Sequence, residues 1–411
     1  MSNINIAKAP ENYAVLPFYA TAAFFFLLLS LLLFISAGEL GGHYFHPRLL
    51  AIVHTATLGW GTMIIYGASY ELLPVLCEND LYSSPLALCS WMVLTAGILL
   101  LAPSFWFFST GPVMITGGAL VLLSALLFLF NTIRTAGSCR AYTAQKCFMI
   151  SAAVWLVITA SIGLLLAVNL RYPFLQVNHL QILKLHAHAG IAGWFLQLVT
   201  GVSAKLIPMF LLGKSTKKGL LTTAFILQNA GLLLFMADGF TIRALFYGLL
   251  IIAGIICWLC YLYDAFRSRV RKAIDLPMQH TALSFICLLL SVIMIPFVWH
   301  DGKWGVLYGT LILLGWITAI ILGKTFKTLP FIIWNQRYKH LNGKVNVPLP
   351  KQLYSSPLLK FQYGSYILAL LTLCTGIITR HHLTLQIAAG IWIVTALSYN
   401  VNVLKIIFHK R

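Results

Sequence analysis

The sequence predicts an all-α integral membrane protein: twelve transmembrane helices in three pseudo-threefold four-helix units. Three observations carry that reading. Of 411 residues, 60% are hydrophobic and only 9% are Asp, Glu, Lys or Arg, against about 25% in an ordinary soluble domain. The mean hydropathy is +0.88, which would leave a water-soluble fold with more apolar surface than a monomer tolerates, whereas lipid accepts that surface and demands long apolar runs. A Gly, Trp and Pro pattern also recurs three times at unchanged spacing. A soluble enzyme is excluded.

Twelve apolar segments follow one another at approximately 14–37, 51–76, 85–103, 110–131, 147–169, 181–211, 219–237, 243–264, 281–299, 305–333, 361–379 and 383–408. Each is long enough to cross about 30 Å of hydrocarbon at about 1.5 Å per residue. The first run is too long for a removable signal peptide and lacks its small-residue cleavage site, so it is expected to stay as a span. With both termini inside, 22 of the 28 Lys and Arg fall in cytoplasmic segments and helix ends, and the outside keeps only Arg48, Arg171, Lys184, Arg243, Lys303 and Arg380. That asymmetry satisfies the positive-inside rule, and the opposite orientation would invert it. The net charge of +19 therefore marks cytoplasmic loops and not a nucleic-acid partner. A bacterial-type inner (plasma) membrane is the expected location, with the lipid bilayer as the first partner.

None of the eight cysteines (Cys77, Cys89, Cys139, Cys147, Cys257, Cys260, Cys287 and Cys374) lies in an outer loop, so no disulfide framework is expected. Cys257 and Cys260 are spaced like a redox motif but sit in an apolar helix without a second pair, which reads as packing.

The repeat is Gly59-Trp60, Gly67, Pro74; Gly193-Trp194, Gly201, Pro208; Gly315-Trp316, Gly323, Pro330. At this composition the expected count of such a match is roughly 0.002, so three copies are not chance. They fall on helices 2, 6 and 10. One transmembrane domain over 1–411, with repeat units at about 14–131, 147–264 and 281–408, follows from that spacing. Glycine there permits close helix contact and proline is expected to end each helix at the inner face. Glu71, Lys205 and Lys327 each precede that proline by three residues; they would form a small charge cluster at the axis or snorkel to the interface.

Nine of the twelve histidines fall at or near the outer face: His43, His46, His54, His179, His186, His188, His300, His381 and His382. His280, His340 and His409 lie inside. His54, His186 and His188 stand in apolar helix, where an imidazole is expensive and usually has a ligand or functional partner. His54 precedes Trp60 by six residues and His188 precedes Trp194 by six, while Thr310 holds the third place. His186 and His188 differ by about 200° in direction on a helix, so they present nitrogens to separate groups. Haem suits such a site, since an apolar macrocycle packs among Leu, Phe and Trp while His ligates iron.

The segment from His186-Ala-His188 through Trp194 to Ile207-Pro208 resembles the His-x-His haem helix of haem-copper oxidase catalytic subunits, particularly the cbb type. Gly67-Ala-Ser-Tyr-Glu-Leu-Leu-Pro74 resembles the end of helix 2 in that superfamily and in the related nitric oxide reductases. A haem-containing membrane family of the nitric oxide response carries a similar His-Ala-His helix. The resemblance implies one or two b-type haems, with His54, His186 and His188 as the ligating residues. In those oxidases the motif lies on helix 10 and three more histidines on helices 6 and 7 hold copper. Here the motif is on helix 6, helix 10 has Thr310, and helix 7 has no histidine. The standard six-histidine haem-copper centre cannot be assembled. Two site models remain: His54 and His188 clamping a six-coordinate haem, or a helix-6 His holding a five-coordinate haem with His54 across an open face, alone or with a metal ion.

The loop from Gly41 to Arg48 would gather copper through His43 and His46, or anchor a haem propionate through Arg48. Tyr66 and Tyr70 are proton-transfer or packing residues, and Met63, Met209 and Met236 read as core. The leading expectation is a b-type haem protein in electron transfer or nitric oxide or oxygen handling, its electron donor a quinol or a cytochrome. The alternatives are a copper or haem carrier, or a cofactor-free partner of another membrane subunit.

Overall fold

The computed structural model describes residues 10–137, 143–239, 241–299 and 301–409. His300 and Cys139, singled out above, lie outside the described residues. The described residues are predominantly helical, with twelve helices long and apolar enough to cross a membrane. They are α1 (Asn12–Ile35), α2 (Pro47–Cys77), α3 (Ser84–Trp106), α4 (Pro112–Gly137), α5 (Ala144–Arg171), α6 (His179–Leu211), α7 (Gly219–Asp238), α8 (Ala244–Arg267), α9 (Leu276–Val298), α10 (Gly302–Arg337), α11 (Ser356–Thr379) and α12 (His382–Ile407). Every predicted span is present, within a few residues at its ends.

Helix starts are set by ordinary caps. Thr143 accepts from the Lys146 N–H, Asp275 from Met278 and Ser355 from Leu358, each satisfying an amide that the first turn leaves without an intrahelical partner. The repeat prolines do not end their helices as the sequence suggested. Pro74 and Pro208 sit inside the last turn, and the helices stop four residues later at Glu78 and Leu212, both left-handed with φ of 50° and 51°. The Asn79 and Gly213 amides then close back on the Pro74 and Pro208 carbonyls at 3.2 and 2.9 Å, the six-to-one bond of a Schellman end. In α10, Pro330 is passed and the helix continues to Arg337.

The repeat helices share one internal irregularity. In α2, α6 and α10 the regular turn gives way to a π-helical stretch at Thr55–Thr62, Ala189–Leu196 and Leu311–Ile317. Each stretch begins five residues before the repeat tryptophan. Such stretches are rare and recur at functional positions. Each contains the repeat glycine, and there the helix before it packs at very short range. A Cβ on Gly59 would lie 2.7 Å from the Phe25 ring, on Gly193 2.6 Å from Trp155, and on Gly315 2.9 Å from the Cβ of Cys287. Two turns on, Gly201 meets Phe148 and Gly323 meets His280 in the same way. The repeat glycines are therefore contact points between helices, as their type implied.

The described chain groups into two compact units. The first comprises residues 69–100 and 110–273 with the short 10–15 segment. Within it α4 packs on α5, α5 on α6, and α7 on α8. Its polar groups are tied off locally: Asn131 bonds the backbone of Ser83, and the Tyr70 hydroxyl lies 2.9 Å from that of Ser90. The second comprises 16–68, 101–109 and 274–409. Within it α1 packs on α12, α11 on α12 and α9 on α10. Trp60 stacks on Phe26 at 4.4 Å, and its indole N–H donates to the Thr318 hydroxyl at 3.1 Å, joining the π-helical part of α2 to the residue that follows the π-helical stretch of α10.

Candidate functional site

In the second unit His54 is half-buried at the last regular residue before the π-helical stretch of α2. Its Nδ1 lies 2.7 Å from the Leu50 carbonyl oxygen, one turn back. A carbonyl only accepts, so the proton is on Nδ1 and the lone pair on Nε2. One face of the ring stacks on Phe105, centroids 4.4 Å apart and planes at 25°.

In the first unit His188 repeats this arrangement. It is half-buried and precedes the π-helical stretch of α6, with Nδ1 2.7 Å from the Lys184 carbonyl oxygen. Phe235 of α7 lies beside its ring at 5.2 Å. His186 is turned elsewhere. Its Nδ1 lies 2.9 Å from the Thr159 carbonyl of α5, and a Cβ on Gly163 would come within 2.9 Å of its Cε1. The two histidines of the His-x-His motif therefore serve different directions: His186 packs against α5 and His188 stands beside α7. Helical geometry required such a divergence. The backbone carbonyl that each selects follows from packing.

The three imidazoles have the chemistry that a haem ligand needs. A ligating histidine almost always donates its second N–H to a carbonyl or carboxylate, which fixes the tautomer and raises basicity at the other nitrogen. His54, His186 and His188 each do so. The aromatic contacts of His54 use the ring face, whereas iron binds in the ring plane through the lone pair, so the two are compatible. The residues present fit a haem.

Behind His188 a polar cluster ties α5, α6 and α7 together. The Asn229 amide oxygen accepts from Ser151 at 2.9 Å and from the Trp155 indole at 3.1 Å, and its nitrogen donates to Gln197 at 3.1 Å. Trp155 is the ring that presses on Gly193, so one residue carries both the contact and the bond. Nothing in the spacing of these residues foretold the cluster.

The outer loop of the second unit is organised by other bonds. Arg48 pairs with Glu39 at 2.7 Å and lies over the Trp106 ring at 5.3 Å. His43 stacks on Tyr44 and accepts from the Phe45 amide, and His46 is half-buried with no hydrogen-bond partner for Nδ1 among the described residues. His381 caps α12 through Thr384. Among the described residues no three His, Cys, Asp or Glu side chains are placed to hold a metal ion, and the seven described cysteines are free thiols. Of the residues flanking the repeat prolines, Lys327 pairs with Asp275, while Lys205 points outward and Glu71 makes no ion pair among the described residues. Tyr66 and Met63 are buried in the core, and Met209 is exposed.

No protein-family model matches the sequence. No curated protein is significantly similar to it.

Proposed function

We propose that the chain is a b-type haem-binding membrane protein of the haem-copper oxidase-like superfamily, working in electron transfer or in nitric oxide or oxygen handling. One observation carries the reading. The same imidazole, with the same 2.7 Å bond from Nδ1 to the carbonyl one turn back, stands immediately before a π-helical stretch in both α2 and α6. The third copy keeps the π-helical stretch and replaces the histidine by Thr310, so the backbone device belongs to the fold and the imidazoles are an addition to it.

His54 and His188 are the leading iron ligands and His186 the third. Haem bound there supplies one-electron chemistry, and gas binding where a coordination position stays open. The chain's own part is to hold each imidazole in one tautomer, to pack Phe105 and Phe235 beside His54 and His188, and to keep the ligands in an apolar surrounding. The electron donor is a membrane quinol or a cytochrome, and the positive-inside distribution puts both termini in the cytoplasm of a bacterial-type cell.

The test is an optical spectrum of the protein purified in mild detergent, oxidised and reduced, with haem extraction on the same sample. Sharp reduced bands insensitive to CO and nitric oxide indicate electron transfer; bands that shift with either gas indicate an open site. Replacing His54, His186 and His188 singly by Ala is expected to remove or alter haem absorbance in at least the His54 and His188 variants. Full retention in all three, or a colourless protein made under haem-replete conditions, overturns the proposal.

A further inference from the structure

Among the described residues, two fully buried side chains of the second unit carry two polar atoms each and have a hydrogen-bond partner on neither. His280 on α9 and Gln362 on α11 are both 0% exposed, with Nδ1 and Nε2 of one and Oε1 and Nε2 of the other unmatched. The His280 ring lies 4.7 Å from that of Tyr363 and 5.6 Å from that of Tyr366. Gln362 and Tyr366 are positions i and i+4 of one helix and share a face, so Gln362 stands one turn from a ring that touches His280.

The repeat supplies an internal comparison. His280 packs on Gly323, and the residue seven further on, Cys287, packs on Gly315. In the second copy Phe148 and Trp155 do the same to Gly201 and Gly193. In the first, Phe25 packs on Gly59 and Phe18 stands seven before it. Both phenylalanines are fully buried. A hydrocarbon side chain therefore satisfies the fold at this position, and only the third copy places an imidazole there. Burying a donor and an acceptor unpaired carries the full desolvation penalty, and buried polar groups in proteins are matched by protein or by water. His280 is five residues into α9 from its cap Asp275, which pairs with Lys327.

We propose that His280 and Gln362 form an internal hydration site, in which bound water donates to the imidazole lone pair and the Gln362 carbonyl and accepts from the imidazole N–H and the Gln362 amide. This inference does not depend on haem.

Pulsed hydroxyl-radical footprinting of the whole protein in detergent tests it, because radicals formed from bound water label side chains that bulk solvent cannot reach. Tyr366 and Tyr399 are both 0% exposed, and only Tyr366 touches His280. Tyr366 is expected to be labelled well above Tyr399 in the wild type, and to fall to the Tyr399 level in the H280F/Q362L double variant, in which H280F restores the hydrocarbon that the other copies carry at that position. Equal labelling of the two tyrosines in the wild type overturns the proposal whatever the variant does. Undiminished Tyr366 labelling in a folded double variant also overturns it.

Discussion

Gly193→Ala adds one methyl group, and the structure says where it goes. The new Cβ would lie 2.6 Å from Cγ, 2.7 Å from Cβ and 2.9 Å from Cδ2 of Trp155. None of these is the loose end of a flexible chain, and the indole is buried and held by its 3.1 Å bond to Asn229. Helix propensity favours Ala over Gly by about 1 kcal/mol. Against that stands overpacking of a tight contact, about 1–3 kcal/mol. If the indole yields, the Asn229 bond is strained at about 1 kcal/mol more. The net expectation is a destabilisation of about 1–3 kcal/mol. Gly248→Ala on α8 is the control, since its Cβ meets nothing within 4 Å and propensity alone predicts a gain of up to about 1 kcal/mol. Denaturant titration in detergent, followed by tryptophan fluorescence, compares the two. Equal stability of the two variants would refute the claim that the π-helical glycine of α6 is a contact point.

Asn229→Leu leaves the Trp155 N–H and the Gln197 carbonyl without their partner, and a loss of about 2 kcal/mol is expected; unchanged unfolding in the same titration would count against the cluster. Thr318→Val removes the hydroxyl that accepts from the fully buried Trp60 indole, and about 1–2 kcal/mol should be lost, read by the same assay with Thr372→Val on an exposed helix face as the neutral control. Beyond the last span, partial burial and then the nearby Arg337 and Lys405 hold the His409 imidazole below its usual range. His409, whose Nδ1 lies 2.9 Å from the Tyr338 hydroxyl, binds fewer protons in that contact than when released, so the contact is fully stabilised above about pH 6.5 and weakens as pH falls through that value. An NMR titration of labelled histidine, assigned with His409→Gln, should give a midpoint below that of a free imidazole; a midpoint at or above it refutes the assignment.

Much of the architecture was legible in the chain. Lipid offers backbone groups no hydrogen-bond partner, so each crossing had to be one long apolar helix, and all twelve runs appear as such. Helix ends were read less well. The third apolar run ends at 103, yet α3 passes Pro103 and continues to Trp106. The fourth run ends at 131, yet α4 runs on to Gly137, where Asn131 and Thr135 bond the 82–83 backbone; a polar residue can continue a helix once a neighbouring segment satisfies it.

The same division holds at the candidate site. Local sequence determined that His54 and His188 occupy one repeat position, that His186 diverges from His188, and that Gly59, Gly193 and Gly315 mark close contacts, because all three follow from helical period and side-chain size. Tertiary structure alone decided that Thr159 of α5 takes the His186 proton, that Glu39 claims Arg48 and Asp275 claims Lys327, and that His280 is fully buried against Tyr363 and Tyr366. A hydrogen bond or a desolvated imidazole is a property of two segments brought together, often across a hundred residues or more, and a one-dimensional pattern carries the period of each segment but not the identity of its neighbour.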